Sequence, residues 1–181
     1  MNFPWAHVLT LVRLLCALPL ALCMLEGAWG WAAALFTIAA VTDYIDGPVA
    51  RRFGQATALG GVFDHATDAL FVSITIGMAA HLGWVPVALA PLIAIAFVQY
   101  LLDSNALAGQ QLRASQVGRW NGIAYFVLAG VVVWGHALPL WPLLALPTYL
   151  IGWALVISTL VSIADRAWAL IRLRRAGRPS P

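Results

Sequence analysis

No lysine occurs among the 181 residues of this chain, and all ten basic residues are arginine. Acidic residues are also scarce: there are seven, and Glu26 is the single glutamate. In all, 9% of the residues are charged, against about 25% in a soluble domain, which excludes a water-solvated globule. Cysteine is limited to Cys16 and Cys23, which share one apolar run and offer neither a disulfide framework nor zinc-ligand spacing. Both read as packing residues. Basic residues do not interleave with aromatics outside the apolar segments, which removes a nucleic-acid-binding signature. Internal repeats and low-complexity tracts are lacking too, apart from the arginine-rich end RLRRAGRPSP.

Against these shortages stands an excess of apolar residues: 62% of the chain is hydrophobic and the mean hydropathy is +0.88. Spanning a bilayer takes about 20 apolar residues. Six runs meet or approach that length, at about 7–26, 28–44, 60–81, 84–103, 120–138 and 143–168. The pattern predicts an all-α integral membrane protein of six transmembrane helices, a single domain over 1–181 with an arginine-rich cytoplasmic tail at 169–181. Breaks are expected at Glu26-Gly27, Asp46-Gly47-Pro48, Gly83 with Pro86, and Pro139 to Pro142. Pro91 and Pro147 lie inside spans and should kink them. Pro48 suits a first helical position, so Pro48 to Phe53 is expected to form a short interfacial helix. A cleaved signal peptide is the rival reading of the first run. That run is long, lacks a small-x-small cleavage pattern, and has the large Leu22 in its loosely lipobox-like Leu20–Cys23.

The arginines orient the spans. Six spans put both termini and the 45–59 and 104–119 loops on one side. Every arginine falls on that side or within a few turns of it, and the opposite loops hold none. By the positive-inside rule that face is cytoplasmic. Trp29, Trp31, Trp84, Trp134 and Trp141 gather at the opposite ends, and Trp5, Trp120 and Trp168 near the cytoplasmic ends, as expected of interfacial anchors.

The acids are not spread evenly. Asp43, Asp46, Asp64 and Asp68 fall in one stretch, DYIDGPVARRFGQATALGGVFDHATD, at the ends of two apolar runs. Ionisable residues at membrane depth are costly and mark function. Asp43 and Asp46 are spaced i, i+3, and Asp64 and Asp68 i, i+4, so each pair shares a helical face. Adjacent antiparallel helices would bring the pairs together. Close carboxylates repel unless cations intervene, and an all-oxygen set suits Mg²⁺ or Mn²⁺. A metal held by carboxylates at a membrane surface points to phosphate chemistry. His65 is expected to point elsewhere on its helix, beside the site rather than in it. Gly47 permits close backbone approach, and Arg51 and Arg52 are available to phosphate. Gly60, one turn before Asp64, either opens space beside the site or serves helix packing.

These residues fit a known pattern. Asp43-x-x-Asp46-Gly47-x-x-Ala50-Arg51, then eight residues, then Gly60-x-x-x-Asp64-x-x-x-Asp68 resembles the signature of the CDP-alcohol phosphotransferases at every fixed position. A chance match at a given start is on the order of 10⁻¹⁰. The resemblance implies metal-dependent transfer of a substituted phosphate from a CDP-linked donor, here CDP-diacylglycerol, to an alcohol, with release of CMP. It implies that Asp43, Asp46, Asp64 and Asp68 hold two such ions and that Asp68 is also the general base. It further implies that Gly47, Ala50, Arg51 and Gly60 lie at the CDP moiety, that the enzyme works in a bacterial inner membrane, and that two copies pair.

The acceptor is less clearly written. Pro4…Leu9-Thr10-x-x-Arg13…Pro19, Thr159-Leu160-x-Ser162 and Ser115-x-x-Gly118-Arg119 resemble bacterial phosphatidylglycerophosphate synthases, which implies glycerol 3-phosphate. His65-Ala66-Thr67-Asp68-Ala69 is nearer the choline/ethanolamine branch, Gln99-Tyr100 stands where those synthases carry Arg-Glu, and Arg166 stands where an aromatic is expected. An aminoalcohol, an inositol phosphate or phosphatidylglycerol is the alternative acceptor. The acceptor pocket should lie beside Asp68, with Arg113, Arg119 and Arg166 as candidates for an anionic acceptor. Their other role would be topology, or pairing with Asp103 and Asp165. A cation transporter is the competing class, but all four aspartates sit near one interface and no acid at mid-depth continues a path. A scaffold in which Arg51 and Arg52 alone balance four carboxylates is disfavoured by charge.

Overall fold

The computed structural model describes residues 5–52, 58–103 and 116–176. Six helices account for them: α1 (Trp5–Leu25), α2 (Trp29–Arg52), α3 (Ala58–His81), α4 (Leu89–Asp103), α5 (Gln116–Ala137) and α6 (Trp141–Ala176). There is no strand among the described residues. The protein is an all-α membrane protein. In α1, α5 and α6 the segments Val8–Leu25, Gln116–Ala137 and Trp141–Ala169 are long and apolar enough to cross a bilayer. Shorter apolar stretches, Trp29–Ile45 and Leu89–Leu102, lie in α2 and α4.

Glycine ends two helices. Gly27 and Gly83 follow α1 and α3 with φ of 72° and 80°, a conformation other residues rarely adopt. At each end the bonds of a Schellman cap form: Ala28 N–H donates to Cys23 C=O at 2.8 Å, and Trp84 N–H to Ala79 C=O at 2.9 Å. The α1–α2 and α3–α4 breaks therefore fall where the sequence predicts them.

Three expectations need correction. α2 runs unbroken through Asp46-Gly47-Pro48 to Arg52, so Pro48 to Arg52 extend α2 instead of forming a separate interfacial helix, and Phe53 lies outside the described residues. A proline forfeits one bond of the ladder, which a helix supported by neighbours tolerates. α4 begins at Leu89 rather than near residue 84, so Pro91 sits in its first turn and kinks nothing. Pro147 does lie inside α6, and Pro19 lies inside α1. Finally, α6 continues past its expected end near 168 into the arginine-rich segment, to Ala176.

α3, α4, α6 and α5 form a ring in which each packs on the next, with α1 and α2 laid against α3 and α5. Phe36, Phe71 and Phe126 meet at the centre of α2, α3 and α5, with ring centroids 5.0 to 6.3 Å apart. Ala32, Ala33, Ala39, Ala79 and Ala129 are buried, and their small side chains let helices approach closely. At the end opposite the aspartates, Trp29, Trp84 and Trp141 enclose the His136 ring, with centroids 4.2, 4.0 and 4.1 Å away. These three tryptophans pack against the core instead of serving as a lipid-facing belt; Trp31 and Trp134 are exposed.

α6 docks on the α3–α4 turn through Gly152. A methyl group there would come within 2.5 Å of Pro86 Cδ, on a ring that cannot swing away. Gly152→Ala is therefore expected to destabilise the bundle by about 1–3 kcal/mol, read as a lower Tm in detergent. An unchanged Tm would show that this helix contact yields freely.

Candidate active site

The site forms where α1, α2 and α3 meet. α1 packs along both α2 and α3, so a residue at matching depth on α1 reaches acids on both. Asp43 lies in α2, and Asp64 and Asp68 lie one turn apart on a single face of α3. Arg13, within the apolar α1, projects among them and is fully buried. Its Nη2 is 3.1 Å from Asp43 Oδ1 and its Nη1 3.0 Å from Asp64 Oδ1. The same Nη1 contacts Asp68 Oδ1. The three carboxylates keep part of their surface open, with side chains 42%, 27% and 35% exposed. One guanidinium against three carboxylates leaves negative charge in excess.

His65 departs from its expected direction. At 100° per residue it lies only about 60° round α3 from Asp68, so both face the same side. Its Nδ1 is 3.8 Å from Asp64 Oδ2, and its ring stacks on Tyr100 of α4 at 6.1 Å. Ligand atoms of Asp64, His65 and Asp68 all lie within 4.8 Å of one another. The donor set fits a hard divalent cation: it is dominated by carboxylate oxygens, carries excess negative charge, and already gathers around a cationic group.

Asp46, Gly47, Ala50 and Arg51 lie in the last turns of α2, with their side chains outside the described residues. The same holds for Arg52 and for the Asp103 side chain. Gly60 lies in the first turn of α3, on the turn that precedes Asp64.

A cavity of about 650 Å³ opens beside Asp43, His65 and Asp68, inside the ring of α3 to α6. Arg119 of α5 and Arg166 of α6 both line it; Arg113 lies outside the described residues. Arg166 sits over the Tyr100 ring, 5.3 Å from its centroid, while its neighbour Asp165 is exposed. This contact ties α6 to α4 at the cavity wall. The wall carries a polar lattice as well. Ser158 Oγ donates to Asn121 Oδ1 at 2.7 Å, Tyr125 Oη and Thr159 Oγ1 are 2.5 Å apart, and Gln99 Nε2 donates to Ile163 C=O at 3.0 Å. Deeper, the lining turns apolar at Val72, Ile93, Phe97 and Phe126.

Sequence reasoning missed Arg13 as a site residue and treated it as a topology arginine. The signal was its position: an arginine inside an apolar span needs a partner, and the acids of α2 and α3 are the available ones.

Residues 3–166 match the family described as CDP-alcohol phosphatidyltransferase. The chain is similar to a CDP-diacylglycerol–glycerol-3-phosphate 3-phosphatidyltransferase of Cereibacter sphaeroides, 29% identical over 147 residues. That match covers 76% of this chain and 66% of the relative, just under two thirds of its length. A protein of the same name from Salmonella typhimurium is 29% identical over 144 residues, covering 74% of this chain and 79% of the relative.

Proposed function

The chain belongs to the CDP-alcohol phosphatidyltransferase family, enzymes of phospholipid synthesis, and from that membership we propose that it transfers a phosphatidyl group from CDP-diacylglycerol to glycerol 3-phosphate. The observation that carries this reading is the convergence of Asp43, Asp64 and Asp68 at the mouth of a cavity that two arginines also line.

Asp43, Asp64 and Asp68, joined by Asp46, would hold Mg²⁺ or Mn²⁺. When bound, such cations neutralise diphosphate charge and polarise the attacked phosphorus. Asp68 accepts the proton of the acceptor hydroxyl as that oxygen attacks the β-phosphorus, the one carrying the diacylglycerol. A new O–P bond forms, the P–O bond to the CMP phosphate breaks, and the electron pair leaves with CMP. Arg119 and Arg166 hold the acceptor's phosphate by charge-assisted hydrogen bonds, which orients its hydroxyl toward Asp68. Gly47, Ala50, Arg51 and Gly60 attend the CDP moiety. Arginine clustering on one face supports a cytoplasmic site, where a CDP-lipid headgroup meets water while its tails stay in lipid.

Arg119→Gln and Arg166→Gln should each raise the KM for glycerol 3-phosphate by about tenfold or more, with the KM for CDP-diacylglycerol little changed. Unchanged acceptor KM in both variants would remove the arginines from the acceptor site. The acceptor itself is tested by offering purified protein CDP-diacylglycerol with glycerol 3-phosphate, ethanolamine, inositol phosphate and phosphatidylglycerol in parallel. Mass spectrometry should show phosphatidylglycerophosphate. A lipid product from another alcohol alone would reassign the acceptor and keep the transfer chemistry.

A further inference from the structure

Arg13 is the one fully buried arginine side chain among the described residues, and its guanidinium touches Asp43, Asp64 and Asp68 at once. A guanidinium keeps its charge at any pH a protein survives, so an arriving cation cannot neutralise it by taking its proton. A divalent cation and Arg13 must therefore share, or contend for, the same three carboxylates. Like charges a few ångströms apart in a poorly hydrated site repel strongly. Without Arg13, the three carboxylates would lose the guanidinium that all of them contact.

We propose that Arg13 is a resident counter-ion: it holds Asp43, Asp64 and Asp68 together before metal arrives, and it competes with metal for them. This rests on the metal-site reading given under the proposed function. Arg13 is thus a positioning residue that sets how tightly metal binds. The two halves of the role have opposite signs. Removing the charge destabilises the metal-free protein and tightens metal binding. A residue important only for packing would lower stability with and without metal and would not tighten binding.

The test uses full-length protein in lipid nanodiscs and Mn²⁺ alone as the probe. Free Mn²⁺ is counted by electron paramagnetic resonance during titration, and Tm is read in chelator and in saturating Mn²⁺. Arg13→Met should bind Mn²⁺ tighter by about 5- to 150-fold, the range that a coupling free energy of typical size gives. Its Tm should fall in chelator and recover in Mn²⁺. Arg13→Lys, which restores a charge, should return Mn²⁺ affinity toward wild type. Where Arg13→Met does not fold, Arg13→Gln gives the same reading with a polar side chain. Mn²⁺ affinity equal to or weaker than wild type in the neutral variant overturns the counter-ion role. Failure of the wild-type protein to bind Mn²⁺ at all overturns the metal site and the competition with it, so the two failures are distinct.

Discussion

Asp68→Asn is expected to lower CMP release from CDP-diacylglycerol by on the order of 10²–10⁴-fold while the protein stays folded. Asparagine keeps the size and shape of the side chain, so the packing of α3 against α1 is retained. What it loses is the ability to accept the acceptor's proton, together with one negative charge facing Arg13. Asp68 is the residue that joins the two halves of the site, because it contacts Arg13 on one side and lines the cavity with Arg119 and Arg166 on the other. CMP release by the variant, measured beside its circular dichroism spectrum and Tm, checks the assignment. Release at the wild-type rate would sink Asp68 as the base.

The second large effect is on metal. Chelation is expected to reduce turnover by on the order of 10²–10³-fold, which corresponds to the several kcal/mol of charge stabilisation a divalent ion supplies. Added Mg²⁺ or Mn²⁺ should restore it. Asp43→Asn and Asp64→Asn should then need a higher metal concentration for half-maximal rate, since each removes one anionic oxygen from the set around Arg13. Asp64→Asn should be the more severe, because its carboxylate is the less exposed of the two and sits beside His65. Undiminished turnover in chelator would reject the metal reading of these carboxylates.

Much of this was legible in the residues. Hydropathy marked six helices, because an apolar run of bilayer length has few other fates, and the glycine breaks before α2 and α4 have a backbone cause. The i, i+4 pair on α3 was secure because a helix leaves it no other geometry. What escaped lay between elements. Arg13 is 30 residues from Asp43 in sequence, and nothing local says that α1 packs in the angle of α2 and α3. Arg166 and Tyr100 read singly as departures, since their pairing exists only once α4 and α6 touch. The aspartate-glycine-proline sequence at 46–48 reads as a helix stop by local propensity, yet α2 runs through it to Arg52. His65 was misjudged by treating its neighbour's direction as exclusive, when one arc of α3 holds both.

If this membrane protein moves a phosphatidyl group from CDP-diacylglycerol to an alcohol, as proposed, CMP and lipid product can be counted together in one reaction. The protein is reconstituted with CDP-diacylglycerol, glycerol 3-phosphate and Mg²⁺, and both products are followed over time. CMP and new phospholipid should appear in equal amounts, rising together and ceasing together when the metal is removed. No CMP and no new lipid with any alcohol acceptor would contradict it.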